Sequence, residues 1–168
     1  PAGITVDWYA APTGGVPLFV GSSSFTPSGV FTAGSYTFYA ESRDISSNCT
    51  SALRTPVFLT VNAAPTMTQP IDQAVCAGFV ISVGFNGSNG SLFNWTNSNP
   101  AIGLAASGAG NISFTATNTG STPAVATISV TPSLFGCVGQ PRTFTITVNP
   151  SPTMTDPMDL SACVGEAV

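Results

Sequence analysis

The residues of this 168-residue chain best equipped for chemistry are four cysteines (Cys49, Cys76, Cys137, Cys163), seven acids and two tryptophans (Trp8, Trp95). What is missing limits them more than what is present. There is no histidine and no lysine, and the only arginines are Arg43, Arg54 and Arg142. Without imidazole there is no Ser-His-Asp or Cys-His nucleophile, no histidine metal ligand and no proton shuttle near neutral pH. Two carboxylates can cleave a glycoside, and Glu41 with Asp44 is the closest such pair in the first half. Neither has a counterpart in the second half, so they are read as loop acids flanking Arg43. A calcium cage needs six to eight oxygens; Asp72 and Asp159 stand too isolated for one and are read as solvated or turn-capping. The expectation is therefore no enzyme, with no catalytic, cofactor or metal residues. A net charge of −4 with a pI near 4.1 repels phosphate, which argues against nucleic acid.

Aromatic residues offer another chemistry, because Trp8, Tyr9, Tyr36, Tyr39 and Trp95 could form a platform for stacking sugar rings. Strand alternation turns Trp8 inward with Ile4 and Val6, and Trp95 inward with Phe93, leaving mainly Tyr9 and Tyr39 outward. A glycan-binding module appended to a secreted polysaccharide-degrading enzyme is the alternative function this supports. Asn48, Asn86, Asn89, Asn94 and Asn111 each begin an N-x-S/T triplet, read as part of an Asn/Ser/Thr-rich surface.

The elements that must position these residues are strands. Charged residues make up 6% of the chain, against about 25% in ordinary soluble domains. Thr, Ser and Asn alternate with Val, Ile, Phe and Ala, punctuated by 17 Gly and 14 Pro, which is a strand-and-turn composition. With 43% hydrophobic residues and a mean hydropathy of +0.34 the chain has enough apolar surface to fold. No apolar run approaches the roughly 18 residues of a membrane span. No membrane insertion is expected within this fragment. The first residue is Pro1, so an export signal and any anchor are expected elsewhere.

The segment Thr60-Val61-Asn62-Ala63-Ala64-Pro65-Thr66-Met67-Thr68 recurs as Thr147-Val148-Asn149-Pro150-Ser151-Pro152-Thr153-Met154-Thr155, an offset of 87 residues (60 to 147). Asp72 maps to Asp159, Cys76 to Cys163 and Trp8 to Trp95. The reading is an all-β chain of tandem immunoglobulin-like antiparallel β-sandwiches with an 87-residue repeat. Residues 1–62 form a repeat lacking its N-terminal strand, 63–149 a complete repeat, and 150–168 the opening strand of a further one. In the complete repeat Phe79, Ile81, Val83 and Phe85 share a face, as do Ile112 and Phe114, Ala124 through Val130, and Phe144, Ile146 and Val148.

Cys76, Trp95 and Cys137 follow the cysteine, tryptophan, cysteine order of immunoglobulin-like sandwiches, although Phe135 stands where antibody-type domains carry tyrosine. A Cys76–Cys137 bridge would add about 4 kcal/mol in the chain-entropy model and would imply an oxidising compartment. Buried free thiols are the alternative. Cys49 and Cys163 lack partners of this kind within their own partial repeats, so they are expected to pair between copies, head to tail, as residues 150–168 complete residues 1–62 of the next copy, either by covalent continuation of the array or between separate subunits by strand addition.

The motifs Asp7-Trp8-Tyr9-Ala10-Ala11-Pro12-Thr13-Gly14-Gly15, Gly34-Ser35-Tyr36-Thr37-Phe38-Tyr39-Ala40, Asn48-Cys49-Thr50-Ser51 and Arg54-Thr55-Pro56, closing on Thr60-Val61-Asn62, resemble the immunoglobulin-like and PKD-like repeats of giant cell-surface adhesins of Bacteroidota. Residues 63–149, with Pro65-Thr66-Met67-Thr68, Cys76-Ala77-Gly78 and Phe93-Asn94-Trp95-Thr96-Asn97, are similar to the PKD-like variety. The resemblance implies secretion by the type IX system, display on the bacterial cell surface, and service in cell adhesion or gliding motility. It makes the chain a structural module that extends an adhesin or filament. Its partners would be neighbouring repeats of the same protein, with surface glycans the other candidate.

Overall fold

A computed structural model describes residues 3–154, 156–161 and 163–165, in two compact units, Pro1–Ala64 and Pro65–Val168. In unit 1 the strands β1 (Ile4–Tyr9), β2 (Gly34–Asp44) and β3 (Thr55–Val61) form one antiparallel sheet in the order β1-β2-β3. Register pairs Trp8 with Ala40 and Phe38 with Val57, so Ile4, Val6, Trp8, Phe38 and Val57 share a face. The connection between β1 and β2 covers it. Phe25 stacks on Trp8 at 5.5 Å and meets Phe38 edge-on at 5.4 Å, while Phe31 packs edge-on against Tyr36 at 4.8 Å. The same connection guards the free edge of β1: the Trp8 amide donates to Phe19 O at 2.8 Å, and Gly21 N donates to Val6 O at 3.1 Å.

Unit 2 is a closed sandwich. Its larger sheet runs β4 (Gln73–Cys76), β11 (Arg142–Asn149), β9 (Ala124–Leu134), β6 (Leu92–Asn97), β7 (Ser107–Ala109), with β10 (Cys137–Val138) also on β9. The second sheet pairs β5 (Val80–Val83) with β8 (Ile112–Thr115). β4 lies parallel to β11; the other pairings are antiparallel. Period-two alternation delivers Ala126, Ile128 and Val130 from β9, Phe144, Ile146 and Val148 from β11, and Trp95 from β6 to one face. They meet Ile81, Val83, Phe85 and Ile112 of the second sheet. Each fully buried Ile or Val contributes about 1.5–3 kcal/mol. The apolar stretch 101–106 becomes a plug: a single 3₁₀ turn, Pro100–Ile102, drops Ile102 and Leu104 into the core. Buried Asn97 holds the plug by donating to Leu104 O (2.9 Å) and Ala105 O (3.2 Å).

The ladder corrects two expectations. Phe79 does not join the core face; it precedes β5 and is 65% exposed. The expected Cys76–Cys137 bridge is not formed, because the sheet holds the two residues at opposite ends. Cys76 sits beside Asn149, the last residue of β11, whereas Cys137 sits opposite Leu134, four residues beyond the Val130 that faces Arg142. At about 3.3 Å per residue that is on the order of 30 Å, against the 7 Å a disulfide tolerates. The cause is local. Phe135 (φ 49°) and Gly136 (φ 79°) make a two-residue hairpin turn with both residues left-handed. That turn carries Cys137 out on a short hairpin rather than into the sandwich.

Candidate functional site

Four charged residues, Asp7, Glu41, Arg43 and Arg54, converge on the second face of the unit 1 sheet. Alternation puts Asp7 and Tyr9 of β1 there, and register sets Glu41 and Arg43 of β2 beside them (Asp7 opposite Glu41, Arg43 opposite Thr5). The Arg43 Nε donates to Asp7 Oδ2 at 2.7 Å and its Nη2 to Asp7 Oδ1 at 3.2 Å, a bidentate pair, and Gly21 N also donates to Asp7 Oδ1 at 2.9 Å. These bonds from Arg43 hold the Asp7 carboxyl below the usual carboxylate range, against the opposing pull of burial. Arg43 is in turn held charged by Asp7.

Arg54, just ahead of β3, sits over the Tyr9 ring, its guanidinium carbon 3.3 Å from the centroid. Its Nε faces Glu41 Oε1 at 3.4 Å, and its Nη1 donates to Ala11 O (2.9 Å) and Gly14 O (2.7 Å), pinning the Pro12–Gly15 loop. Burial, reinforced by neighbouring Glu41, pushes the Tyr9 phenol up. Tyr9, expected outward, is therefore buried, and Tyr39 is half-buried. Glu41 and Asp44, expected in a loop, lie within β2. Asp44 ends that strand by gathering the turn after it: its Oδ1 accepts from Ser46 Oγ (2.6 Å), Ser47 N (2.8 Å), Ser46 N (2.9 Å) and Ser47 Oγ (3.1 Å), which lowers its pKa to about 2. Cys49 follows that turn, exposed.

Trp8 and Trp95 both serve packing. The Trp8 Nε1 donates to Ser22 O at 2.9 Å, and the Trp95 Nε1 to Gly110 O at 3.1 Å. Gly108 lies so close to the Trp95 ring that no side chain fits between them. Asp72 accepts from Thr145 N at 2.7 Å and so caps a strand edge. Among the described residues, no three of His, Cys, Asp or Glu are grouped to hold a metal ion. What the charged face does chemically is clamp: it ties β1, β2, the start of β3 and the loop after β1 together. Sequence reasoning passed over Asp7 and Arg54 in this role. The signal for Asp7 was its place in the alternation, one residue from Trp8 and so on the opposite face.

Residues 1–62 match the family model described as Ig-like domain CHU_C associated, and residues 73–152 that of the PKD-like domain. The chain thus matches an immunoglobulin-like domain followed by a PKD-like domain. No curated protein matches it significantly. Among solved structures it is similar to Sidekick-1 immunoglobulin domains 1-5, at 17% identity and TM-score 0.38 over 88% of this chain and 33% of that one. It spans about a third of that structure. It is also similar to Dpr11 IG1 bound to DIP-gamma IG+IG2, at 8% identity and TM-score 0.36 over 88% of this chain and 83% of that one. The immunoglobulin-like and PKD-like units are consistent with a structural or adhesion module, and domains of these kinds are usually extracellular. No helix among the described residues is long and apolar enough to cross a membrane.

Proposed function

We propose that this chain is a pair of structural modules from an extracellular adhesin or filament of the Bacteroidota type, extending the protein from the bacterial cell surface. One observation carries the reading: the charged face is used up in holding the scaffold together. Asp7, Glu41, Arg43 and Arg54 face one another, and Tyr9 lies beneath Arg54. The tryptophans that a sugar platform would need are packed with their ring nitrogens bonded to backbone. The 87-residue recurrence supports an array of such modules, with residues 150–168 opening the next one; residues 155, 162 and 166–168 of that segment lie outside those described. A glycan array probed with the intact chain tests the reading. No saturable binding is expected. Dose-dependent binding to a defined glycan, lost on substituting Tyr39, would replace it with the glycan-binding alternative.

A further inference from the structure

We propose that Asn89 is a self-modification site: its side-chain amide is lost as ammonia to attack by the backbone nitrogen of Gly90, leaving an aspartate or isoaspartate at position 89 of the folded chain. The inference stands on unit 2 alone and is independent of the module reading above. Its basis is an internal control, because the triplet Asn-Gly-Ser occurs twice in succession, as Asn86-Gly87-Ser88 and Asn89-Gly90-Ser91. The two triplets share the same local chemistry. The fold treats them differently.

The reaction is a ring closure, favoured because nucleophile and electrophile belong to adjacent residues. The Gly90 nitrogen gives up its proton and attacks the side-chain carbonyl carbon of Asn89. The new C–N bond closes a five-membered succinimide, and the side-chain nitrogen leaves with that proton as ammonia. Water then opens the ring at either carbonyl. Breaking the bond to the side-chain carbon leaves aspartate; breaking the bond to the main-chain carbon leaves isoaspartate. Water is the sole co-reactant, and nothing is oxidised or reduced. The closure has two requirements: no side chain on the following residue to obstruct it, and a peptide plane free to turn about the asparagine Cα–C bond until the nitrogen meets the side chain. Glycine meets the first in both triplets.

The second separates them. The Asn86-Gly87 peptide is held from both flanks: Thr68 N donates to Asn86 O at 2.8 Å, Ser88 N donates to Thr66 O at 2.9 Å, and Gly87 bridges to Met67, a core residue. Gly87 also lies so close to Thr66 O and the Phe93 ring that no Cβ would fit there. Turning this peptide means breaking both backbone bonds and parting the bridge. Asn89 and Gly90, by contrast, are the two central residues of the turn 88–91, closed by one bond from Ser91 N to Ser88 O at 3.1 Å, with Gly90 left-handed at φ 81°. Both are exposed, and among the described residues neither the Asn89 side chain nor the Gly90 N–H has a hydrogen-bond partner. Elsewhere in unit 2 both requirements fail together. Asn97 donates to Leu104 O at 2.9 Å, Asn111 accepts from Phe85 N at 3.0 Å and Asn118 donates to Val148 O at 2.8 Å, and each is followed by a residue with a side chain, Ser98, Ile112 and Thr119.

The product carries one more negative charge, taking the chain from −4 to −5 (−4 − 1). It falls at the rim of an apolar surface, since Gly90 lines a shallow depression with Leu92, Leu134, Phe135 and Val138. Because the loss of ammonia runs one way, the charge at this surface records the age of the molecule.

The test is to incubate the intact chain in mildly alkaline buffer made with oxygen-18 water, then unfold and digest it in ordinary water and locate the labelled oxygen by tandem mass spectrometry. In the folded chain, label should enter position 89 at least about tenfold faster than position 86, because opening the bridged peptide is the rarer event. In guanidinium chloride the two positions should label within about twofold of each other, since unfolding removes the constraint. N89Q should abolish the fast labelling and leave the Trp95 transition in urea unmoved, while N86Q should leave the labelling at 89 intact. Labelling at 86 as fast as at 89 in the folded chain, or labelling at 89 suppressed by folding as strongly as at 86, would overturn the proposal. So would a difference that persists in the unfolded chain, which would assign the selectivity to sequence context and not to the turn.

Discussion

Unit 2 closes two sheets over a core in which Ile102, Ile128, Val130, Ile146 and Val148 are wholly buried; in unit 1 the buried side chains among the described residues are Asp7 and Tyr9. The two halves share the closing sequence Thr-Val-Asn and differ in what holds them. Unit 2 rests on the hydrophobic effect, which scales with apolar area removed from water. Unit 1 rests on one sheet, an aromatic cover around Phe25, and a charged clamp on its other face. In a chain with few charges, the ion pairs among the described residues, Arg43 with Asp7 and Arg54 with Glu41, stand where apolar burial falls short.

Each half carries one tryptophan, so W8F and W95F variants report on the two units separately. The largest effect should come from I146A. Ile146 is fully buried at the centre of β11, and the cavity should lower the unfolding free energy of unit 2 by about 3 kcal/mol, read from Trp95 fluorescence in urea, with the Trp8 transition unmoved. G108A should cost unit 2 about 2 kcal/mol, because the new methyl meets the Trp95 ring. D7A removes the acceptor of three hydrogen bonds on the clamp and should cost unit 1 about 1.5 kcal/mol, visible in the Trp8 transition alone. If D7A shifts the Trp95 transition as much as the Trp8 one, the two units are not separate cooperative bodies.

The smallest effect is pH. The folded-state pKa values of Asp7 and Asp44 are depressed, to about 2 for Asp44, so both groups stabilise unit 1 above the unfolded carboxylate pKa near 3.9. That contribution drains away as pH falls from about 4 toward 2. The Trp8 midpoint in urea should drop across this window. A flat Trp8 profile would mean that the clamp contributes nothing to stability.

Much of unit 2 was legible because period-two alternation maps directly onto a face: Phe144, Ile146 and Val148 were placed inward from spacing alone, and so they stand. What alternation cannot see is which residues arrive from far along the chain. Tyr9 read as outward-facing because nothing near it in sequence covers it; the cover is Arg54, brought over by β3. Glu41 and Asp44 read as loop acids because their polarity masks a strand that runs on to residue 44. The order of Cys76, Trp95 and Cys137 promised a bridge, but order carries no register, and the Phe135-Gly136 turn decides where Cys137 goes.

The two units differ in completeness, and native-state hydrogen exchange on the intact chain, at a concentration low enough to keep it monomeric, reads that difference amide by amide. Amides in the interior of β9 and β11, flanked by strands on both sides, should exchange at least about a hundredfold more slowly than those of β1 and β3, corresponding to about 3 kcal/mol of extra opening free energy. Equal protection in the two sets, or greater protection in β1 and β3, would contradict it.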